Sequence, residues 1–81
     1  MFINKGDNGK NNICGRKIAE LRLQTGKSQR QLADSLQILG LDVDKNAIQR
    51  IEAGKRFVTD IELTFFCRIF NITADELIGL R

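Results

Sequence analysis

The sequence of 81 residues contains no proline, tryptophan, tyrosine or histidine. Without proline, tryptophan and tyrosine, the turn residues and large aromatic side chains expected of a β-sandwich are missing, so the composition favours helices. The lack of histidine, and the wide spacing of Cys14 and Cys67, exclude zinc-ligand motifs and Cys/His catalytic pairs. We therefore expect no metal and no cofactor, and we interpret both cysteines as small buried hydrophobic residues.

Long hydrophobic runs are also missing. No apolar stretch approaches the roughly 20 residues that a membrane-spanning helix needs, and the Asn/Gly-rich segment 1–12 lacks the apolar core of a signal peptide. The sequence therefore predicts a cytoplasmic protein. It contains no Gly-rich phosphate-binding loop and no nucleophile beside a base, which makes an enzyme the weakest of the functional classes.

The charge that is present is distributed unevenly. Residues 1–56 contain 11 Lys and Arg against 6 Asp and Glu, whereas residues 57–81 contain 2 against 4. A basic region joined to a slightly acidic end indicates that one face meets a polyanion while another face has a different role. The length of the chain allows one compact domain.

Apolar spacing and capping residues divide the chain into an arm and five short helices. Residues 1–12 have no periodicity and are predicted to be a disordered arm, followed by one domain over 13–81. Cys14, Ile18 and Leu21 recur at helical spacing before Gly26 and define helix 1. The Ser/Thr-x-x-Glu/Gln pattern of a capping box predicts the starts of helices 2, 4 and 5 at 28–31, 59–62 and 73–76.

Helix 3 is predicted at about 44–53, with Asp44 as its cap and Gly54 after its end. Helices 2 and 3 together match the helix-turn-helix pattern, in which the second helix enters the major groove of DNA. If Ile48 and Ile51 hold the inner face, the outer face consists of side-chain types that pair with base edges: Lys45, Asn46, Gln49 and Arg50. A solvated helix surface has a similar composition, so this pattern alone does not decide the function.

The stretch from residue 14 to residue 80 resembles the Cro/C1-type helix-turn-helix family, which includes phage repressors, antitoxins and many small bacterial regulators. The resemblance implies an all-α, five-helix, lambda-repressor-like domain that binds double-stranded DNA. It rests on four groups of residues: Gly15-Arg16-Lys17-Ile18 with Leu21-Arg22 and Gly26, Ser28-Gln29-x-x-Leu32-Ala33, Ile48-x-x-Ile51-Glu52-x-Gly54-Lys55-Arg56, and Ile72-Thr73-x-Asp75-Glu76-Leu77.

The same resemblance implies a role for each matching position. Gln29 would hold a phosphate, and Lys55 and Arg56 would contact the DNA backbone again. The four outer residues of helix 3 would face the bases, because phosphate contacts position such a module and base contacts specify the site. Arg22 and Glu52 would form an architectural ion pair. The expected function is a sequence-specific transcriptional regulator, a repressor rather than an activator.

One part of the chain departs from the motif. The connection that includes residues 37–43 is longer than the usual turn of about 3–4 residues between the two helices. We expect helix 2 to extend before a wider loop, and this loop could rotate helix 3 about its own axis.

Helix 4 carries two apolar stripes. Leu63, Phe66, Cys67 and Phe70 have core spacing, while Ile61, Phe65 and Ile69 form a second stripe at i, i+4 and i+8. Either helix 5 covers the second stripe within one chain, or the stripe is a homodimer interface.

A homodimer would place two recognition helices about 34 Å apart and read a palindromic operator. The alternative function is a protein-interaction module, such as an antitoxin-like partner, that binds through helices 4 and 5.

Overall fold

Five α-helices make up the computed structural model, which describes residues 9–79. Within that range there is no β-strand, so the prediction of an all-α, five-helix fold is confirmed. Most of the predicted arm, residues 1–8, lies outside the described residues. The helices are α1 Gly15–Gln24, α2 Gln29–Leu39, α3 Lys45–Glu52, α4 Asp60–Phe70 and α5 Ala74–Ile78.

Two of the helices begin with complete capping boxes. The hydroxyls of Ser28 and Thr59 accept hydrogen bonds from the backbone N–H groups of Gln31 and Glu62. The side chains of Gln31 and Glu62 in turn accept the backbone N–H of each cap residue. Both boxes satisfy N–H groups that have no partner inside the helix, which fixes where α2 and α4 begin.

The other two predicted caps are simpler. The Asp44 carboxylate accepts an N–H from the first turn of α3. At α5 the hydroxyl of Thr73 accepts the N–H of Glu76, but the Glu76 carboxylate binds that hydroxyl instead of the Thr73 backbone. The third capping box is therefore only half formed.

The hydrophobic core takes side chains from all five helices. Cys14 is buried at its edge, and burial raises the pKa of its thiol to about 11. Cys67 is only partly buried, although its pKa is also raised by burial. Both thiols are thus uncharged packing groups near neutral pH. The largest fully buried side chains are Ile18, Leu32, Leu36, Ile48, Ile51, Phe66 and Leu77.

The long connection between α2 and α3 is anchored at three points. Gly40 ends α2 with a φ of 110°, a conformation that favours glycine. The N–H of Leu41 then donates to the carbonyl of Leu36, and both Leu41 and Val43 are buried. The Gln37 side chain donates to the carbonyl of Val43 at 2.7 Å. As expected, α2 extends, and the wider loop is held against the core.

The segment just before α1 contacts the end of α3. Asn11 and Asn12 were assigned to a disordered arm, but the Asn12 amide group donates to the carbonyl of Ile51 and accepts the N–H of Gly15. The backbone N–H of Asn11 donates to the carbonyl of Gly54. Carbonyls at a helix end have no partner within the helix, and these asparagines supply donors to them. Asn11 and Asn12 therefore contact the domain, and the arm boundary at residue 12 stays a prediction.

Gly15 allows the start of α1 to approach the end of α3. A Cβ atom at this position would overlap the carbonyl oxygen of Ile51. This oxygen belongs to the backbone, so it cannot move away as a flexible side chain could. We expect Gly15→Ala to destabilise the domain by about 3 kcal/mol, at the upper end of overpacking costs, as measured by urea unfolding.

The neighbouring change Arg16→Ala is the matched control, because the Arg16 side chain is exposed and should alter stability by less than about 0.5 kcal/mol. Equal unfolding midpoints for the two variants would contradict the close-approach argument.

Candidate nucleic-acid interface

The outer face of α3 carries the four side chains predicted to read bases. Ile48 and Ile51 are fully buried on the opposite face and fix how the helix is rotated about its axis. Residues four apart lie on the same side of a helix, so the remaining positions form one surface. The side chains on it, all exposed, are Lys45, Asn46, Gln49 and Arg50.

The predicted ion pair between α1 and α3 is present. Arg22 Nε lies 2.7 Å from Glu52 Oε2, and Arg22 Nη2 lies 3.0 Å from Glu52 Oε1. The two side chains are only 13% and 8% exposed. Hydrogen bonding to Glu52 raises the pKa of Arg22. Since Arg22 Nη1 also donates to the carbonyl of Lys27, one guanidinium joins α3, α1 and the turn before α2.

Gln29 lies beside this pair, at the first position of α2. Its amide nitrogen donates to Glu52 Oε1 at 3.1 Å. An amide nitrogen has two hydrogens, so this bond orients Gln29 and leaves its second donor for another acceptor. The phosphate contact expected of Gln29 stays a prediction. The bond to Glu52 sets the direction from which Gln29 would make that contact.

Arg56 forms an ion pair that was not predicted from the sequence. Its Nη1 and Nη2 atoms lie 3.0 Å and 2.7 Å from the two carboxylate oxygens of Glu62, and Nη1 also donates to the carbonyl of Phe57. The guanidinium thus ties the turn after α3 to the start of α4. The predicted DNA-backbone contact of Arg56 stays a prediction, now for a guanidinium that is 31% exposed and held by the Glu62 carboxylate.

The carboxylate of Glu62 is held in its ionised form. The bidentate hydrogen bonds from Arg56 lower its pKa, and the backbone N–H of Thr59 adds to that effect, while burial opposes it. The same hydrogen bonds raise the pKa of Arg56. Lys55, in contrast, is exposed beside this pair, and its predicted phosphate contact stays a prediction.

A shallow groove of about 320 Å³ lies between α2 and the start of α3. It brings Arg30, an exposed residue of α2, to the same concave surface as Lys45 and Asn46. Asp34 and Asp44 also line the groove, so its two basic residues are balanced by two acidic ones. Arg30 was not identified from the sequence, because helical periodicity places it only on a solvated face. Its nearness to α3 depends on how two helices pack.

A family model described as a helix-turn-helix domain matches residues 14–77. The chain belongs to this family. In this helix-turn-helix protein, α2 and α3 are the two helices of the DNA-binding motif, and the matched region spans α1 to the buried Leu77 of α5. The match does not distinguish the narrower Cro/C1-type group. Neither a curated protein nor a solved structure matches the chain.

The described part of this helix-turn-helix protein contains neither a metal-binding cluster nor a membrane-spanning helix. Among residues 9–79, no group of His, Cys, Asp or Glu side chains is arranged to hold a metal ion. In the same part of the chain, every helix is too short or too polar to cross a bilayer.

The buried pair of Arg22 and Glu52 is expected to carry much of the domain's stability. Glu52→Gln leaves the Arg22 guanidinium buried without a counter-charge, which should lower the free energy of unfolding by about 3–5 kcal/mol. Chemical denaturation at pH 7 measures this loss.

Glu20→Gln is the matched control, because it removes an exposed carboxylate whose Oε1 lies 3.7 Å from Arg16 Nε. An exposed pair of this kind contributes less than about 1 kcal/mol. If both variants unfold at the wild-type midpoint, the architectural role of Glu52 is wrong.

The pair of Arg56 and Glu62 gives an expected pH dependence. Because the pKa of Glu62 is lower in the folded chain than its ordinary value of about 4.3, its stabilising contribution is complete above that pH. The contribution is lost as the pH falls through the folded pKa. Glu62→Gln cannot ionise, so its melting temperature should fall less steeply than that of wild type below about pH 4.3. Parallel acid slopes for the two proteins would refute the assignment.

Proposed function

We propose that the protein is a sequence-specific transcriptional regulator that reads the major groove of double-stranded DNA with α3. The observation that carries the proposal is the exposed polar face of α3, on a helix whose inner face is buried and whose end is held by Arg22. Asn and Gln pair with adenine, and Lys and Arg with guanine, each good pair discriminating by about 1–3 kcal/mol. Four such side chains are enough to specify part of a half-site.

Contacts to the phosphate backbone complete the proposed interface. Gln29, at the start of α2, supplies a donor before α3 in the sequence, and Lys55 supplies one after α3. The first N–H groups of α2 also favour an anion. Arg30 shares a groove with two base-reading residues and adds a cation next to Gln29. The basic charge of residues 1–56 favours association with DNA.

The proposal includes a homodimer on a palindromic operator, with repression by occupying the site. A single short recognition helix contacts few base pairs, and two copies related by a two-fold axis double the number of specific contacts. The second apolar stripe of α4 supplies a surface for the pairing. Ile61 is 65% exposed, and Phe65 and Ile69 are half-buried.

Exposed apolar side chains also favour a second candidate, a protein-interaction module that binds a different partner through α4 and α5. Salt distinguishes the two functions. Binding through several Lys and Arg contacts to phosphates weakens steeply as salt rises, whereas an apolar protein interface responds little.

Selection of binding sites from a random DNA duplex pool at moderate salt tests the main proposal. We expect an enriched palindrome with the wild-type protein. The double variant Asn46→Ala and Gln49→Ala should lose this enrichment, because it removes two base-reading amides and leaves the buried face of α3 intact. Enrichment that persists unchanged in the variant would refute reading by α3.

Lys55→Ala is the matched control, because the proposed contact of Lys55 with a phosphate positions the protein on DNA without reading the base sequence. Its removal should weaken binding to all sequences about equally and reduce the slope of log affinity against log salt by about 0.9. If neither variant nor the wild type binds any duplex at low salt, the protein-interaction module becomes the better function.

A further inference from the structure

The solvent-facing side of α4 has opposite charges at its two ends. Asp60 is the first residue of the helix and Arg68 lies in its last turn. Between them lie Ile61, Thr64 and Phe65, spaced so that all five positions share one side of the helix. Ile61 and Asp60 are exposed, as is Arg68. This side is therefore acidic at one end, apolar in the middle and basic at the other end.

Neither charged residue has an ion-pair partner within the described part of the chain. The ion pairs found among residues 9–79 involve neither Asp60 nor Arg68. The Arg68 guanidinium instead lies over the ring of Phe65, 5.4 Å from its centroid. A cation held against an aromatic ring remains able to meet a carboxylate from outside, because the ring contacts only one face of the guanidinium.

The apolar surface continues from α4 onto the end of α2. Ile69 of α4 and two exposed residues of α2, Ile38 and Leu39, form the apolar part of an open groove of about 340 Å³. Its polar lining residues are Lys27, Ser35 and Arg68. Ile38 is 86% exposed. The long α2 therefore adds apolar area next to the stripe of α4 and leaves that area uncovered.

We propose that a second copy of the chain covers this surface, with the two α4 helices packed antiparallel across a two-fold axis. Asp60 of each copy then pairs with Arg68 of the other copy, Thr64 lies nearest the two-fold axis, and Ile61 and Phe65 pack on either side of it along the helix. This inference rests on the proposed dimeric reading of DNA and assigns the geometry of that dimer.

Charge complementarity selects a second copy in this orientation. Asp60 and Arg68 are about 12 Å apart along the helix axis at 1.5 Å per residue. The same spacing recurs in the other copy, so both ion pairs form together in the antiparallel arrangement. A parallel arrangement would place like charges opposite each other, which is unfavourable. The acidic first turn of one α4 also meets the basic last turn of the other, as the helix dipoles favour.

The size of the surface sets the strength of the dimer. An α4 of 11 residues is about 16 Å long and about 10 Å wide. One side of this helix therefore offers much less area than the roughly 800 Å² that each partner buries in a stable interface. The end of α2 enlarges the patch, yet the dimer stays in the weak, transient class. We therefore expect a dissociation constant of about 1–100 μM in free solution, within the range of weak transient complexes.

Charge reversal tests the arrangement by sedimentation velocity on the full chain. Asp60→Arg and Arg68→Asp each create a like-charge contact between copies and should raise the dimer dissociation constant by at least about tenfold. The double variant Asp60→Arg with Arg68→Asp restores opposite charges and should return to within about threefold of wild type. Thermal melting of each variant by circular dichroism verifies that it is folded.

The outcomes separate this inference from the proposed function. Weaker dimerisation of both single variants, together with recovered dimerisation of the double variant, supports the antiparallel pairing. Single variants that dimerise like wild type, a double variant that stays monomeric while folded, or a wild type that is monomeric up to millimolar concentration each overturn it. Binding to an isolated DNA half-site should be within about threefold for all these proteins, because α4 is not the reading helix. Loss of half-site binding in the wild type would instead overturn the proposed function.

Discussion

The position of α3 depends above all on the carboxylate of Glu52. A helix of eight residues has little stability of its own, so its orientation is set by what holds it. Glu52 accepts two hydrogen bonds from Arg22 of α1 and one from Gln29 of α2. These side chains lie where α2 and α3, the two helices of the motif, meet α1. A buried carboxylate without these donors would be costly, so Glu52 favours the arrangement in which all three bonds form.

Other contacts fix both ends of the same helix. At its start, Asp44 caps the first turn and the Gln37 side chain holds the preceding loop. At its end, Asn12 donates to the last turn, and the pair of Arg56 and Glu62 joins the following turn to α4. The exposed side chains of α3 therefore extend from a rigid support. Such preorganisation lowers the entropic cost of binding, which favours specific contacts over loose electrostatic ones.

The chain separates its two proposed tasks between different surfaces. The cations next to the reading helix lie on α2, α3 and the turn after α3, where phosphates are expected. The apolar and oppositely charged residues of α4, with the end of α2, form a surface suited to a second copy. The extended α2 contributes to both surfaces, because its first turn carries Gln29 and its last turn carries Ile38. The same helix leads into the anchored loop before α3. The proposed pairing of copies and the placement of α3 would thus be linked through one helix, α2.

The sequence by itself determined the features that depend on neighbouring residues. Capping boxes join residues three apart, and helical periodicity distinguishes buried Ile48 from exposed Gln49, so helix starts and the outer face of α3 were predictable. The partnership of Arg22 and Glu52 came from a family resemblance. Only the tertiary structure decided that Asn12 supports the end of α3, that Arg56 binds Glu62, and that Gln29 is oriented by Glu52. These contacts depend on the distances and angles between packed elements, and periodicity along the chain contains no information on which polar side chains the packing will bring together.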